Sequence, residues 1–201
     1  MPKMSKTEIK EAVYILKNGG VVVYPTETLY GLGALATDKK AVKKIFKIKK
    51  RDSNKLLPVI VGSLNQAKRY FVFNKTDLRL ARRFWPGPLS LILKTKSKRI
   101  EHILDSKYIA VRFSANNLAA AIAKSAGAPI TSTSANISGD SDCFTISAVK
   151  KQFALASVKP DIYINGGRLK KTRASTIVNA KGSKITILRE GKISRKLLET
   201  A

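Results

Sequence analysis

The spacing of apolar residues predicts a helix and then a buried strand at the start of the chain. Apolar positions recur at helical intervals over residues 9–16, after a capping-box sequence at residues 5–8, and the glycines at 19–20 end the helix. A β-branched run predicts a strand over Val21–Tyr24. We expect Pro25 to stop this strand and a loop to follow, because proline cannot donate to a sheet ladder.

The remaining apolar and polar positions predict short helices and strands in irregular succession. They indicate helices after Asp38 and over residues 63–70, 76–85, 117–126 and 145–153, and strands over residues 57–61, 89–93, 109–113, 162–164, 176–178 and 185–188. This order favours an α/β or α+β fold with a mixed, twisted sheet over a strict βαβ repeat. Without repeats or linkers, residues 1–201 are expected to form one domain.

Composition narrows the class of protein. Of the 201 residues, 44% are hydrophobic, which is enough for a proper core. Cys143 is the single cysteine, so no disulfide framework forms within the chain, and it has no partner at zinc-ligand spacing. No apolar run approaches the roughly 20 residues of a membrane span, and the N-terminus lacks a signal-peptide core. We therefore expect a cytoplasmic protein without a metal site or a membrane.

The charge adds a second expectation. The chain has 39 lysine and arginine residues against 13 acidic ones, a formal net charge of +26. Such an excess attracts polyanions, including RNA and nucleotide phosphates. The alternative is a lysine-rich composition that decorates every solvated surface. The basic residues cluster at residues 39–55, 94–99 and 168–173.

Two hydroxyl-rich segments follow predicted strands and are candidate ligand loops. The first runs from Pro25 to Gly33, and its glycines at 31 and 33 suggest backbone geometry that other residues resist. The second, Thr131–Gly139, carries six hydrogen-bonding side chains in eight residues, more than a turn requires. Such segments suit phosphate or carboxylate oxygens. The alternative is that each is an ordinary turn whose side chains bind its own backbone.

Basic residues near strand ends are candidates for anion binding. Lys49, Arg51 and Lys55 lie at the end of the second helix and in the loop behind it, where a solvated helix end is the alternative. Arg112 lies within an apolar strand and needs an anionic partner. Because carboxylates are scarce, we expect a ligand carboxylate or phosphate there more than a structural Asp or Glu.

Taken in order, these segments resemble the YrdC family of threonylcarbamoyl-AMP synthases, over about Gly19 to Gly191. The resemblance implies a twisted mixed α/β sheet with flanking helices and a large, basic concave face. The segments that carry it are Pro25-Thr-Glu-Thr-Leu-Tyr-Gly-Leu-Gly33, Lys49-x-Arg51, Trp85-Pro-Gly-Pro-Leu89, Ala110-Val-Arg112, Ser132-Thr-Ser-Ala-Asn136 and Ser175-Thr-Ile-Val178.

The resemblance also implies an activity. Family members make threonylcarbamoyl-AMP and pyrophosphate from L-threonine, bicarbonate and ATP, for the N6-threonylcarbamoyladenosine modification at position 37 of tRNA. The chain is similar to the single-domain TsaC form, which works with the TsaB, TsaD and TsaE proteins. In this chemistry the substrate supplies the nucleophile, so alignment and charge neutralisation are the protein's main contributions. Mg²⁺ is expected to accompany ATP.

The family's site residues are carried over position by position. The threonine positions match Thr28, Arg112, Ser132 and Ser175, and the nucleotide positions match Lys49, Arg51, Lys55, Ser134, Asn136, Asp142 and Arg189. Arg51 and Lys55 are expected to stabilise the reacting phosphates. The chain departs from the family pattern at Ile60, where many relatives have a histidine, at Asp142, where an acid lies near phosphates, and at Asp52, which often is proline.

Three alternatives stay open. A non-catalytic RNA-binding factor, such as the YciO branch of the family, would use the basic surface, and Lys43, Lys44 and Lys47 would then contact RNA. A dinucleotide fingerprint at residues 31–36 has the right spacing, but the strand ends six residues too early. His102, the single histidine, is expected to be structural or exposed rather than catalytic.

Overall fold

The structure is a computed structural model that describes residues 6–52 and 55–200. Helices and strands alternate along the chain. The helices are α1 Lys6–Lys17, α2 Lys39–Lys49, α3 Leu64–Tyr70, α4 Lys75–Phe84, α5 Lys98–Ile103, α6 Asn117–Ala126, α7 Ile146–Phe153 and α8 Arg195–Glu199. The strands are β1 Val22–Pro25, β2 Tyr30–Gly33, β3 Val59–Val61, β4 Phe71–Val72, β5 Leu89–Thr95, β6 Tyr108–Phe113, β7 Ile130–Thr131, β8 Thr133–Ser134, β9 Ile162–Tyr163, β10 Thr176–Lys181 and β11 Lys184–Arg189.

The strands form two mixed sheets, which confirms the predicted fold class. The smaller sheet has the order β8-β2-β1-β9, with β1 and β9 parallel and the other pairs antiparallel. The larger sheet follows the order β11-β10-β5-β6-β3-β7, and β4 pairs with β5 at its side. In the larger sheet β10 and β5 are parallel, as are β3 and β6.

One short segment belongs to both sheets. β7 pairs with β3 in the larger sheet, and β8, two residues further on, pairs with β2 in the smaller one. Ser132 lies at the crossing, and its backbone N–H donates to the Pro58 carbonyl at 2.8 Å. This segment therefore places the second hydroxyl-rich loop where the two sheets meet.

The first hydroxyl-rich loop connects β1 and β2 as an antiparallel hairpin. β1 ends at Pro25, as expected, although Pro25 is itself the last residue of the strand and pairs with Tyr30. The role expected for the two glycines also changes, because neither adopts a left-handed backbone. A Cβ on Gly33 would lie 2.6 Å from the Thr131 carbonyl oxygen and 2.8 Å from the Tyr24 ring. Gly31 meets the same ring, so close approach explains both glycines.

Most predicted helices and strands are confirmed, with shifted ends. Asp38 caps α2 as expected by accepting from the Ala41 N–H at 2.9 Å, and α1 ends before Gly19, which is left-handed. The capping box at residues 5–8 begins outside the described residues. The strand predicted over residues 57–61 begins only at Val59, after Pro58, which has no N–H to donate.

Two groups of buried residues hold the sheets and helices together. The larger one packs under both sheets and includes Trp85, whose Nε1–H donates to the Leu89 carbonyl at 2.7 Å. The smaller one joins α1 and α6 to β1 through residues such as Leu16 and Ile122. Within the described residues, none of the helices is long and apolar enough to cross a membrane.

Candidate active site

A cleft of about 430 Å³ opens between the two sheets, and it collects residues from distant parts of the chain. Its walls combine hydroxyl groups, guanidinium groups and one carboxylate with an apolar floor. Of the predicted site residues, the following line it: Thr28, Arg51, Arg112, Ser132, Ser134, Asp142, Ser175 and Arg189. Lys49, Lys55 and Asn136 are not among the lining residues.

The β1–β2 loop presents Thr28 to the cleft. The Thr26 hydroxyl donates to the Leu29 carbonyl at 2.7 Å and accepts from the backbone N–H groups of Thr28 and Leu29 at 3.2 Å. The two threonine hydroxyl oxygens lie 3.0 Å apart. This network fixes the loop backbone internally, and therefore holds the Thr28 side chain at the cleft wall.

Arg112 has a structural carboxylate partner, although the sequence analysis favoured a ligand anion over an Asp or Glu at this position. Its guanidinium is ion-paired with the Glu27 carboxylate, and Ser114 donates its hydroxyl to the other carboxylate oxygen. Burial alone would raise the pKa of Glu27, but the Arg112 charge and the Ser114 hydrogen bond outweigh burial, so the pKa lies below its ordinary value. Glu27 stays ionised, and it holds Arg112 at the cleft.

Lys49 supports the second hydroxyl-rich loop from below. Its side chain is buried, and its ammonium donates to the Ser134 carbonyl at 2.5 Å, to the Asn136 carbonyl at 2.7 Å and to the Asn136 Oδ1 at 3.0 Å. Burial and the Arg51 charge lower the pKa of Lys49 to about 8. Three protein acceptors occupy the ammonium, so Lys49 and Asn136 shape the loop in this structure.

Ser175 and Arg189 form a second hydrogen-bonded group at the cleft. Arg189 donates from Nε and Nη2 to the Ser175 carbonyl at 3.1 and 2.9 Å, and from Nη2 to the Ser175 hydroxyl at 3.1 Å. The Ser90 and Ser175 hydroxyl oxygens lie 3.0 Å apart. Arg112 and Arg189 both line the cleft, and burial and the charge of Arg112 lower the pKa of Arg189.

Arg51 is partly committed to the protein and partly available. Its Nη2 donates to the Leu56 carbonyl at 3.2 Å, whereas its Nε is buried without a hydrogen-bond partner among the described residues. Lys55 is exposed nearby, and its backbone N–H donates to the Asp52 carbonyl at 3.2 Å. Asp142 is exposed at the cleft wall.

Sequence reasoning missed the partners that position the site. Glu27 and Ser90 contact predicted site residues, and Ser114 contacts Glu27, but none of the three was predicted as part of the site. The signal for Glu27 was present: an arginine within an apolar strand requires an anion, and a carboxylate lies in the adjacent ligand loop. Ile60 is buried beside Arg112, its register partner, and lines the cleft floor.

His102 and Cys143 are not among the residues that line the cleft. His102 is exposed on α5, where its Nε2 lies 3.2 Å from the Lys39 ammonium. Cys143 is buried beneath the loop, and burial raises the pKa of its thiol. The described part of the chain contains no group of three His, Cys, Asp or Glu residues that could hold a metal ion.

A protein-family model described as "Telomere recombination", Sua5_yciO_yrdC, matches residues 14–191. The chain belongs to this family. The family resemblance predicted from the cleft segments is therefore confirmed. The match includes every predicted site residue from Thr28 to Arg189.

Two relatives of this family carry the name of the synthase. A Methanocaldococcus jannaschii protein, provisionally named threonylcarbamoyl-AMP synthase, is 35% identical over 95% of this chain and 91% of its own length. The Pyrococcus abyssi threonylcarbamoyl-AMP synthase is 32% identical over 98% of this chain. This chain spans 58% of the length of the P. abyssi protein. These names describe enzymes that transfer a group.

Solved structures of two family members have the same fold. The crystal structure of P. abyssi Sua5 complexed with L-threonine matches with a TM-score of 0.90 at 31% identity, over 98% of this chain and 58% of that one. The crystal structure of E. coli YciO matches with a TM-score of 0.81 at 27% identity, over 94% and 91% of the two chains.

Proposed function

We propose that this protein is an L-threonylcarbamoyladenylate synthase, a nucleotidyltransferase that makes threonylcarbamoyl-AMP and pyrophosphate from L-threonine, bicarbonate and ATP. The observation that carries the proposal is the convergence of Arg51, Arg112 and Arg189 with the hydroxyl-rich loops on one cleft. The names of the relatives and the L-threonine in the P. abyssi structure support the same reading. The product would serve tRNA modification, together with proteins of the TsaB, TsaD and TsaE type.

The reaction needs no nucleophile from the protein. The amine of threonine adds to bicarbonate with loss of water and gives a carbamate, and a carbamate oxygen then attacks the α-phosphorus of ATP. The bond to pyrophosphate breaks, and pyrophosphate leaves with its electron pair. Catalysis then depends on aligning two anions, for which well-oriented groups contribute up to about 7–11 kcal/mol, and on stabilising charge at the phosphates.

The cleft divides into two subsites under this proposal. Arg112, held by Glu27, would bind the threonine carboxylate, and the hydroxyls of Thr28, Ser132 and Ser175 would orient its polar groups. On the other side, Arg51 and Arg189 have N–H groups near the cleft for phosphate oxygens, and Ser134 lines the wall between them. Lys55 is close enough in sequence to Arg51 to join them.

We expect Mg²⁺ to accompany the triphosphate in this cleft. Among the described lining residues, Asp142 supplies the carboxylate, and Mg²⁺ in nucleotide sites is typically held by one or two carboxylates with phosphates and water. Asp142 would therefore hold the ion, which when bound neutralises phosphate charge. The same role would explain an acid beside a nucleotide subsite.

The test is pyrophosphate release by the purified protein with Mg-ATP, labelled L-threonine and bicarbonate, together with detection of the acyl adenylate. We expect release only when both threonine and bicarbonate are present. Arg51→Ala should reduce the rate at least about 100-fold, because it removes a charge from the developing transition state. Arg69→Ala, an exposed arginine on α3, is the matched control and should retain the rate.

The experiment also distinguishes the synthase from a non-catalytic RNA-binding factor. The similarity to the YciO structure and the net charge are the reasons to test that alternative. Pyrophosphate release that is independent of threonine, or no release at all from a folded protein, would refute the synthase. Pyrophosphate release that survives Arg51→Ala undiminished would refute the assigned nucleotide subsite.

A further inference from the structure

Ser90 is a buried polar residue near the start of an otherwise apolar run in β5. It stands between Leu89 and Leu91, and 3% of the residue is exposed. A hydroxyl at that depth costs free energy unless it has a hydrogen-bond partner, and an apolar side chain would pack there without that cost. The reason for a serine at this position must therefore lie in the bond that its hydroxyl forms.

That bond joins Ser90 to Ser175, and the strand pairing explains why the two meet. Ser90 is the register partner of Ile177 in the parallel pairing of β5 with β10, and Ser175 lies two residues before Ile177, on the same face of the extended chain. The backbone N–H of Thr176 donates to the Pro88 carbonyl at 2.9 Å, which fixes the chain beside Ser175. The hydroxyl oxygens of Ser90 and Ser175 lie 3.0 Å apart as a result.

A single proton lies between these two oxygens, because a serine hydroxyl offers one proton and two lone pairs. Ser175 already accepts from the Arg189 Nη2 at 3.1 Å. Ser90 is the deeper of the two serines, 3% exposed against 8%, so a proton without an acceptor would cost more on Ser90. Ser90 therefore donates to Ser175, and the Ser175 proton is left available to the cleft that this residue lines.

Arg189 in turn depends on Ser175 for its place at the cleft. It is the last residue of β11, the strand at the edge of the larger sheet, and it is exposed. In the described part of the chain its three hydrogen bonds all go to Ser175, two to the carbonyl and one to the hydroxyl. A long side chain at a free edge loses rotamer freedom when it binds a ligand, so a guanidinium that is already held in place binds more tightly.

We propose that Ser90 is a positioning residue that acts through Ser175 on Arg189. The inference rests on the proposed function, in which Arg189 binds phosphate oxygens of the nucleotide. The Ser90 hydroxyl keeps the Ser175 oxygen turned so that it accepts from Arg189, and Arg189 keeps the orientation that the phosphates need. Loss of the Ser90 hydroxyl should therefore weaken nucleotide binding, although Ser90 itself does not bind the nucleotide.

Ser114 offers a matched comparison at the other guanidinium group. It is also a buried serine, 1% exposed, and it donates to the Glu27 carboxylate that is ion-paired with Arg112. Its replacement by alanine removes the same single oxygen atom, but the change reaches the arginine that is proposed to bind the threonine carboxylate. The chain from Ser114 to Arg112 shares no residue with the chain from Ser90 to Arg189, so the two replacements should affect different substrates.

The test measures the affinity for α,β-methylene-ATP with Mg²⁺ by isothermal titration calorimetry, at a temperature where every variant is folded. We expect Ser90→Ala to weaken binding at least about fivefold, the loss that corresponds to one ordinary hydrogen bond. Ser90→Thr keeps the hydroxyl, and strands accept β-branched residues, so its affinity should stay within about twofold of the parent. Ser114→Ala should also stay within about twofold for the nucleotide, and should raise the KM for L-threonine instead.

A double-mutant cycle with Arg189→Gln decides whether Ser90 acts through Arg189. Arg189→Gln alone should weaken binding of the analogue at least about tenfold, because it removes a charged donor. When Ser90→Ala is added to Arg189→Gln, the affinity should change by less than about twofold, since the group that Ser90 positions is already gone. A serine with a merely structural role would cause the same loss in both backgrounds.

Three outcomes would overturn the proposal. These are additive losses in the cycle, an undiminished affinity in Ser90→Ala, and a Ser90→Thr variant as weak as Ser90→Ala, which would show that size rather than the hydroxyl matters. The parent protein separates this inference from the proposed function. A parent that binds no analogue and releases no pyrophosphate refutes both, whereas a parent that does both, with variants that bind equally well, refutes only the role of Ser90.

Discussion

Lys49 keeps a charged side chain in surroundings that oppose the charge. Water is excluded from it and Arg51 lies nearby, and both lower its pKa to about 8 from an ordinary value of 10.5. Three hydrogen bonds compensate for these surroundings, because three oxygens of the Ser134–Asn136 segment accept from the Lys49 ammonium. An unpaired carbonyl at this depth would cost about 1–3 kcal/mol.

This shift predicts a pH dependence of stability that can be assigned to one residue. Between pH 8 and 10.5, Lys49 is protonated in the unfolded chain but has lost its proton in the folded protein. The free energy of unfolding therefore increases as the pH rises through this window. Over this pH window the free energy of unfolding of the parent protein should increase by roughly 2–3 kcal/mol relative to that of Lys49→Met. Urea unfolding at a series of pH values measures the difference. Parallel curves for the two proteins would contradict the shift.

At this scale the sequence predicted the residues that line the cleft better than the residues that support them. Thr28, Arg112, Ser132 and Ser175 could be found because their types and motifs point to a ligand. The ion pair between Glu27 and Arg112 joins residues 85 positions apart, on a loop of one sheet and a strand of the other. A pairing of that kind depends on how the sheets pack, which local patterns do not encode.

The packing of the β1–β2 hairpin depends on two residues without side chains, Gly31 and Gly33. Tyr24 is fully buried, and its ring lies against both glycines of β2, while its hydroxyl donates to the Thr131 carbonyl at 3.1 Å. The ring therefore occupies space that any Cβ at these two positions would need. This contact fixes how closely the β7–β8 segment approaches the hairpin.

Gly33→Ala is expected to destabilise the protein by about 1–3 kcal/mol, because the new methyl would overlap the Thr131 carbonyl and the Tyr24 ring. Gly31→Ala is the comparison and should cost less, since the nearest atom to its Cβ would be a Tyr24 ring atom at 3.2 Å, whereas the Cβ of Gly33 would also overlap a backbone carbonyl. Chemical denaturation of both variants measures the difference. Equal losses would contradict the closer contact at Gly33.

Among the elements, long periodic segments were predictable and very short ones were not. α2, α6 and β6 were predicted with their type and nearly their ends. The strands β7 and β8 have two residues each, and nothing local distinguishes them from a turn rich in threonine and serine. They become strands only because β3 and β2 offer free edges on either side.

The whole molecule carries a net charge of +26, and its described ion pairs are few. Self-repulsion of this size destabilises the compact state, and salt screens it over a Debye length of about 10 Å at 0.1 M. The melting temperature should therefore rise with sodium chloride from 20 to 200 mM, by about 3 °C or more if screening restores about 1 kcal/mol. Thermal unfolding followed by circular dichroism checks this, and a falling melting temperature would contradict it.

The crossing at Ser132 has a mechanical consequence for how a ligand enters. Within five residues the backbone forms hydrogen bonds to both sheets. These bonds oppose a hinge motion that would move one sheet away from the other. Entry and exit must then be governed by the side chains at the rim, among which Leu56, Tyr108 and Leu188 are more than half exposed. Turnover in such an enzyme would be limited by small, local rearrangements of the side chains at the entrance to the cleft.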